Sequence, residues 1–262
     1  MIKSLRDLDR ILRGEATRLP ALRAGQVEFD VRGLLLVLLG LGALTGFCMG
    51  WFAVFNRDTP EFRQLLAAML KVPALFFLTL LVTFPSLYVF NALVGSRLTA
   101  VGLLRLLLAA LGVTLALLAS FGPIIAFFSL TTKSYPFMVL LNVLLFAIAG
   151  GLGLVFLLQT LHRLTLAAPV AVEVLPVALE EGSPPAPLDP AGALEGTPGI
   201  GLGRNVTLVF RCWVLAFALV GAQMSWVLRP FIGAPDVEFK WFRPRESHFF
   251  ESIWHTLQNL FS

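Results

Sequence analysis

The sequence predicts an all-α membrane protein: five transmembrane helices with N-terminal and C-terminal amphipathic interfacial helices. Three observations carry this. Five long stretches hold no ionised side chain: Gly33 to Asn56, Val72 to Ser96, Leu106 to Thr132, Ser134 to Leu161 and Cys212 to Leu228. The chain is 57% hydrophobic and only 14% charged, with the charges gathered between those stretches, whereas soluble domains carry about 25% charged residues. Each end of the chain carries a short segment that is apolar on one helical face and polar on the other.

A helix needs about 20 apolar residues to cross a hydrocarbon core about 30 Å thick. The first four runs are 24, 25, 27 and 28 residues long. The fifth is 17, but Arg211 at its edge can snorkel to the interface, so the fifth helix is expected over Val206 to Leu228. A soluble helical core is excluded on physical grounds, because these runs would have no polar face to show water. The first apolar run starts only at residue 33 and is too long for a signal h-region, so an inserted, uncleaved chain is expected.

The layout follows. Residues 1–32 form an amphipathic surface segment, with Ser4 as N-cap, Gly14 as C-cap and Leu5, Leu8 and Leu12 on the apolar side. Residues 33–166 form a four-helix transmembrane unit. Thr59 and Pro60 open a short helix before the second span, and Pro85 and Pro123 interrupt the second and third. Residues 167–203 are rich in proline and glycine and read as a flexible linker. The fifth helix occupies 204–230, and 231–262 form an interfacial C-terminal helix with Phe249, Phe250 and Trp254 as membrane anchors. With the N-terminus inside, twelve Lys and Arg face the cytoplasm against eight outside, which favours N-in and C-out.

Cys48 and Cys212 fall inside spans at different depths, so free, buried thiols are expected rather than a disulfide. The net charge of +4 is too modest to suggest nucleic-acid binding. The partners expected are the lipid bilayer and other membrane helices, from this chain or another subunit.

Small residues at four-residue spacing let helix backbones approach closely. Gly42, Gly46 and Gly50 do this in the first helix, Ala147 with Gly151 and Ala149 with Gly153 in the fourth, and Ala218 with Ala222 in the fifth. These seams serve either packing within the protomer or association with a neighbour. Thr79, Thr83, Ser86 and Asn142 supply hydroxyls and an amide to a candidate permeation path, although hydrogen bonds to the preceding turn explain them equally. Arg229, Arg243, Arg245 and Glu246 suggest a docking cap over the outer end of the bundle, against the simpler reading of interface anchoring.

No Asp, Glu or Lys lies in any of the five runs, which argues against an ion-driven carrier. His248, Glu251 and His255 share a helical face, but one helix cannot wrap them around a single ion, so no metal is expected. No nucleophile–base set and no cofactor motif can be assembled. The expectation is a non-enzymatic scaffold or accessory subunit of a membrane complex, with a passive channel as the alternative.

Three segments, Ser134 to Val143 (SYPFMVLLNV), Met224 to Pro235 (MSWVLRPFIGAP) and Phe242 to Glu251 (FRPRESHFFE), resemble a family of uncharacterised bacterial multi-pass membrane proteins. The resemblance implies a place in the bacterial inner membrane and brings no activity, cofactor or catalytic residue with it.

Overall fold

The computed structural model describes residues 2–15, 30–56, 60–93, 100–167, 202–234, 237–242 and 249–261. Among these the chain forms seven helices and no strand: α1 (Ile2–Leu12), α2 (Val31–Phe55), α3 (Phe62–Leu93), α4 (Ala100–Thr131), α5 (Tyr135–Ala167), α6 (Leu202–Leu228) and α7 (Phe249–Phe261). Helices α2 to α5 are each long and apolar enough to cross a membrane, the signature of a multi-pass membrane protein. The apolar part of α6, Cys212–Leu228, is shorter. The linker expected over 167–203 lies almost wholly outside the described residues.

Helix α1 ends at Gly14, whose φ of 70° is the left-handed conformation that glycine adopts without a Cβ penalty. The amide of Gly14 donates to the Ile11 carbonyl at 2.9 Å. On the exposed side Arg13 Nε donates to both Asp9 oxygens at 2.9 and 3.0 Å. That hydrogen bond, and then the Asp9 charge, raise the Arg13 pKa above its ordinary value. Ser4 is not the N-cap expected from the sequence. It lies inside the helix, is buried, and faces Gly33 of α2. The buried stripe is Ser4, Leu8 and Ile11, while Leu5 and Leu12 remain about half exposed. Helix α1 therefore docks on α2 and α4 and keeps only its flank free for a lipid surface.

Helix α2 starts at Asp30, whose carboxylate accepts the Arg32 amide at 3.1 Å. Its other end stops at Asn56, which donates through Nδ2 to the Ser129 carbonyl of α4 at 2.8 Å. Helix α3 corrects the sequence reading of this region. A single helix runs from Phe62, without a separate short helix before it, and takes in Arg63, Lys71, Pro73 and Pro85. Thr59, the expected cap, lies outside the described residues. Pro123 likewise sits inside the continuous helix α4.

Helix α2 is the centre of the bundle, packed against α3 on one side and α4 on the other. Helix α5 leans on α4, α6 on α3, and α7 on α5 and α6. Two buried clusters result. One joins Leu8 and Ile11 of α1 to Leu34 and Leu38 of α2, Leu107 and Leu115 of α4, and Trp213 of α6. The other, toward the C-terminal end of α2, gathers Met49, Phe52, Val72, Ile125, Met138 and Ile232. Lipid tails are as apolar as leucine, so such helices associate by close packing and hydrogen bonds rather than by escape from water.

Candidate functional site

Helix α6 stops at Leu228 because Pro230 has no amide proton to continue the ladder and its ring fixes φ. The Arg229–Pro230 peptide is cis. The turn that follows is largely buried, and its backbone carbonyls need partners. Two side chains of α3 provide them. Gln64 Nε2 donates to the Pro230 carbonyl at 3.1 Å and to the Phe231 carbonyl at 3.0 Å. Lys71 Nζ donates to the same Pro230 carbonyl at 3.2 Å and also to the Trp241 carbonyl. The Lys71 ammonium lies 5.1 Å from the centre of the Phe242 ring.

Gln64 and Lys71 are seven residues apart, two turns on one face of α3 and separated by about 10 Å along its axis. They are 2% and 4% exposed, so an unpaired ammonium at Lys71 would cost several kcal/mol. The Pro230 and Trp241 carbonyls provide its partners. Gly233 completes the clamp, since a Cβ there would come within 3.0 Å of Gln64 Cγ and 3.1 Å of Ala53 Cβ. Beside it, the Arg229 guanidinium lies over the Trp226 ring, 3.4 Å from its centre.

The clamp borders a groove of about 990 Å³ lined by Ala43, Arg63, Leu66, Met69, Leu70 and residues 239–242. Its depth follows from the α2–α3 crossing. Gly46 abuts Ala68 and Met69, and Gly42 abuts Pro73. Lys71 therefore stands level with Ala43, the midpoint of α2, while Arg63 lies near the end where α3 begins.

The residues expected to act from the sequence fall into distinct places. Gly42, Gly46 and Gly50 all face α3: a Cβ at Gly42 would lie 3.0 Å from Pro73 Cβ, and one at Gly50 would lie 2.7 Å from Leu65 Cα. At Gly46 it would collide with the Ala68 carbonyl. Gly153 faces Thr114 and the Ala110 carbonyl of α4, with Ala149 fully buried on the same side. Ala147 and Gly151 point the other way, and among the described residues no atom beyond the helix's own local backbone lies within 4 Å of a Cβ added at Gly151. On α6, Ala218 is exposed and Ala222 partly buried, while a Cβ added at Gly221 of the same helix would lie 3.7 Å from Thr79 Cγ2.

The candidate path residues bond to their own helices. Thr79 Oγ1 donates to the Leu75 carbonyl at 2.7 Å, Thr83 to Thr79 at 2.8 Å, and Ser86 to Thr83 at 2.7 Å. Ser86 Oγ also accepts the Trp213 indole N–H at 3.2 Å, which ties α6 to α3. Asn142 donates to the Met138 carbonyl at 2.8 Å.

Cys48 is buried, but Cys212 is exposed rather than buried as expected; both are free. In α7, Phe250 and Trp254 are more than half exposed and Phe249 is partly buried. His255 and Glu251 lie 4.0 Å apart in solvent, and no group of metal-ligating side chains occurs among the described residues. Of the residues expected to form the cap, Arg229 is partly buried, while Arg243, Arg245, Glu246 and also His248 lie outside the described residues.

Sequence reasoning misses Gln64 and Lys71, because a lysine just before the second span reads as a loop cation. The signal for them is the pairing of two polar residues seven apart with a proline-terminated helix elsewhere in the chain. Comparison with family models, with curated proteins and with solved structures finds no match.

Proposed function

We propose that this chain is a non-enzymatic, multi-pass membrane protein that serves as a scaffold or accessory subunit, holding another membrane helix against α5. One observation carries the reading. The outward face of α5 leaves Leu144, Ile148, Leu152 and Val155 exposed around Ala147 and Gly151, where backbone can be approached closely. Leu144, Ile148, Gly151 and Val155 follow the i, i+4, i+7, i+11 spacing of a helix-packing seam. The opposite side of α5 already uses the same device, with Gly153 against Thr114 of α4.

In this reading α6 is a fifth span whose outer end is continued by the clamped segment, and α1 and α7 lie at the two membrane surfaces. The bacterial inner membrane and the N-in, C-out orientation belong to the same proposal. Support for the first comes from the three resembling segments, and for the second from the basic residues that precede α2. A hydroxyl-lined channel is less well supported, because Thr79, Thr83 and Ser86 direct their hydroxyls to their own helix.

The test is purification from native membranes in mild detergent, with measurement of the mass of the particle and of its Gly151→Leu and Gly153→Leu variants. The expected particle is larger than one chain. Gly151→Leu should shed the additional mass while leaving the protomer's melting temperature unchanged, whereas Gly153→Leu should lower that temperature. A monodisperse monomer carrying nothing else would reject the proposal.

A further inference from the structure

We propose that the groove between α3 and residues 239–242 is a binding site for an anionic phospholipid, with its phosphodiester held by Arg63 and Lys240 and an acyl chain laid along Leu66 and Leu70. This goes beyond the scaffold reading and requires only that the bundle sits in a bilayer.

Four observations converge. The groove is mostly apolar, and its walls remain bare: Leu66 is 57% exposed, Leu70 63% and Phe242 59%. Such a surface suits hydrocarbon and not water. Two cations, Arg63 and Lys240, belong to its lining, and no carboxylate does. Neither is ion-paired among the described residues, and both are exposed. Lys71, the third cation nearby, is already engaged with the Pro230 and Trp241 carbonyls and plays no part in this site.

The groove is also polarised along its length. Arg63 lies in the first turn of α3, where the helix enters the membrane, and Leu70 lies about 10 Å deeper, beside the midpoint of α2. A phospholipid has the same polarity, with negative charge at the surface and hydrocarbon below. Lys240 enters from the opposite wall, and its four-carbon stem lets the ammonium rise to the level of the phosphate. A soluble anion would satisfy the two cations but leave the leucine wall uncovered, and a zwitterionic lipid would carry no net charge to meet them.

Delipidated protein in detergent, titrated with dioleoylphosphatidylglycerol or dioleoylphosphatidylcholine and followed by native mass spectrometry, decides the matter. The expected result is preferential retention of phosphatidylglycerol. Replacing one cation by glutamine should weaken it about fivefold, and Arg63→Gln with Lys240→Gln together on the order of 25-fold. Arg63→Lys should retain most of the preference. Lys133→Gln, an exposed cation on the α4–α5 connection, should leave it intact. Leu66→Trp, which fills the groove but keeps both charges, should reduce retention of the lipid. Inorganic phosphate at equal concentration should not displace it. Equal retention of the two lipids would overturn the proposal. So would a double glutamine variant that binds like the original protein at an unchanged melting temperature, or equal loss in the Lys133→Gln control.

Discussion

Gly46→Ala is the smallest change that tests close backbone approach as the source of cohesion in this bundle. The added Cβ would meet the Ala68 carbonyl oxygen, lie 2.6 Å from the carbonyl carbon and lie 2.7 Å from Met69 Cα. All three are backbone atoms, so no side chain can rotate aside. Ordinary carbon contacts lie at about 3.5–4.0 Å, which requires α2 and α3 to part by roughly 1 Å at this point. A gap of that size forfeits about a quarter to a half of the dispersion energy of each contact it opens. Overpacking of this kind costs about 1–3 kcal/mol. Against it stands the gain of about 1 kcal/mol from replacing a helical glycine by alanine. The net expectation is destabilisation of up to about 2 kcal/mol, or a fall in melting temperature of up to about 8 °C.

Gly40→Ala is the internal control, because among the described residues no atom beyond the helix's own local backbone lies within 4 Å of its Cβ position. It should leave the melting temperature unchanged or raise it by about 2–4 °C. Thermal unfolding of the detergent-purified protein, followed by tryptophan fluorescence, measures both. If Gly46→Ala melts at or above the original protein, as Gly40→Ala should, the packing argument fails.

Three other outcomes are expected. Lys71→Met removes donors to the Pro230 and Trp241 carbonyls, each charged hydrogen bond being worth about 1.5–3 kcal/mol, and should speed amide exchange across residues 229–242; unchanged exchange would deny the clamp. Thr79→Val and Thr83→Val should alter stability by less than about 1 kcal/mol and leave liposome flux as it was, because these hydroxyls bond only the preceding turn. A change in flux would revive the channel reading. Cys212 should react with a small maleimide roughly tenfold or more faster than Cys48 in detergent, since only Cys48 requires local opening; equal rates would place Cys212 in a packed interface.

Much of the helical layout is legible in the sequence because an apolar run long enough to cross a bilayer has few other uses. The boundaries of α2, α4 and α5 lie within a few residues of the uncharged runs, apart from extensions into flanking polar turns. Helix α3 departs from the sequence reading for a specific reason. When charge marks the end of a span, Arg63 and Lys71 set the preceding segment apart as a short helix of its own, yet both lie within one continuous helix, and Lys71 is buried with partners 159 and 170 residues away. Such long-range partners leave no mark in local periodicity. Helix α1 departs because a serine near a helix start fits a cap, whereas Ser4 is small enough to pack against Gly33. The glycine seams are visible by spacing alone, but spacing does not say which neighbour they meet. Gly46 meets α3, and Gly151 meets nothing among the described residues.

Extraction of membrane vesicles with alkaline carbonate tests the bilayer setting most directly, since peripheral proteins are stripped and lipid-embedded helices are not. The chain should remain in the lipid pellet and need detergent to leave it. Recovery in the aqueous supernatant, still folded and monodisperse, would contradict a protein whose long helices are solvated by lipid.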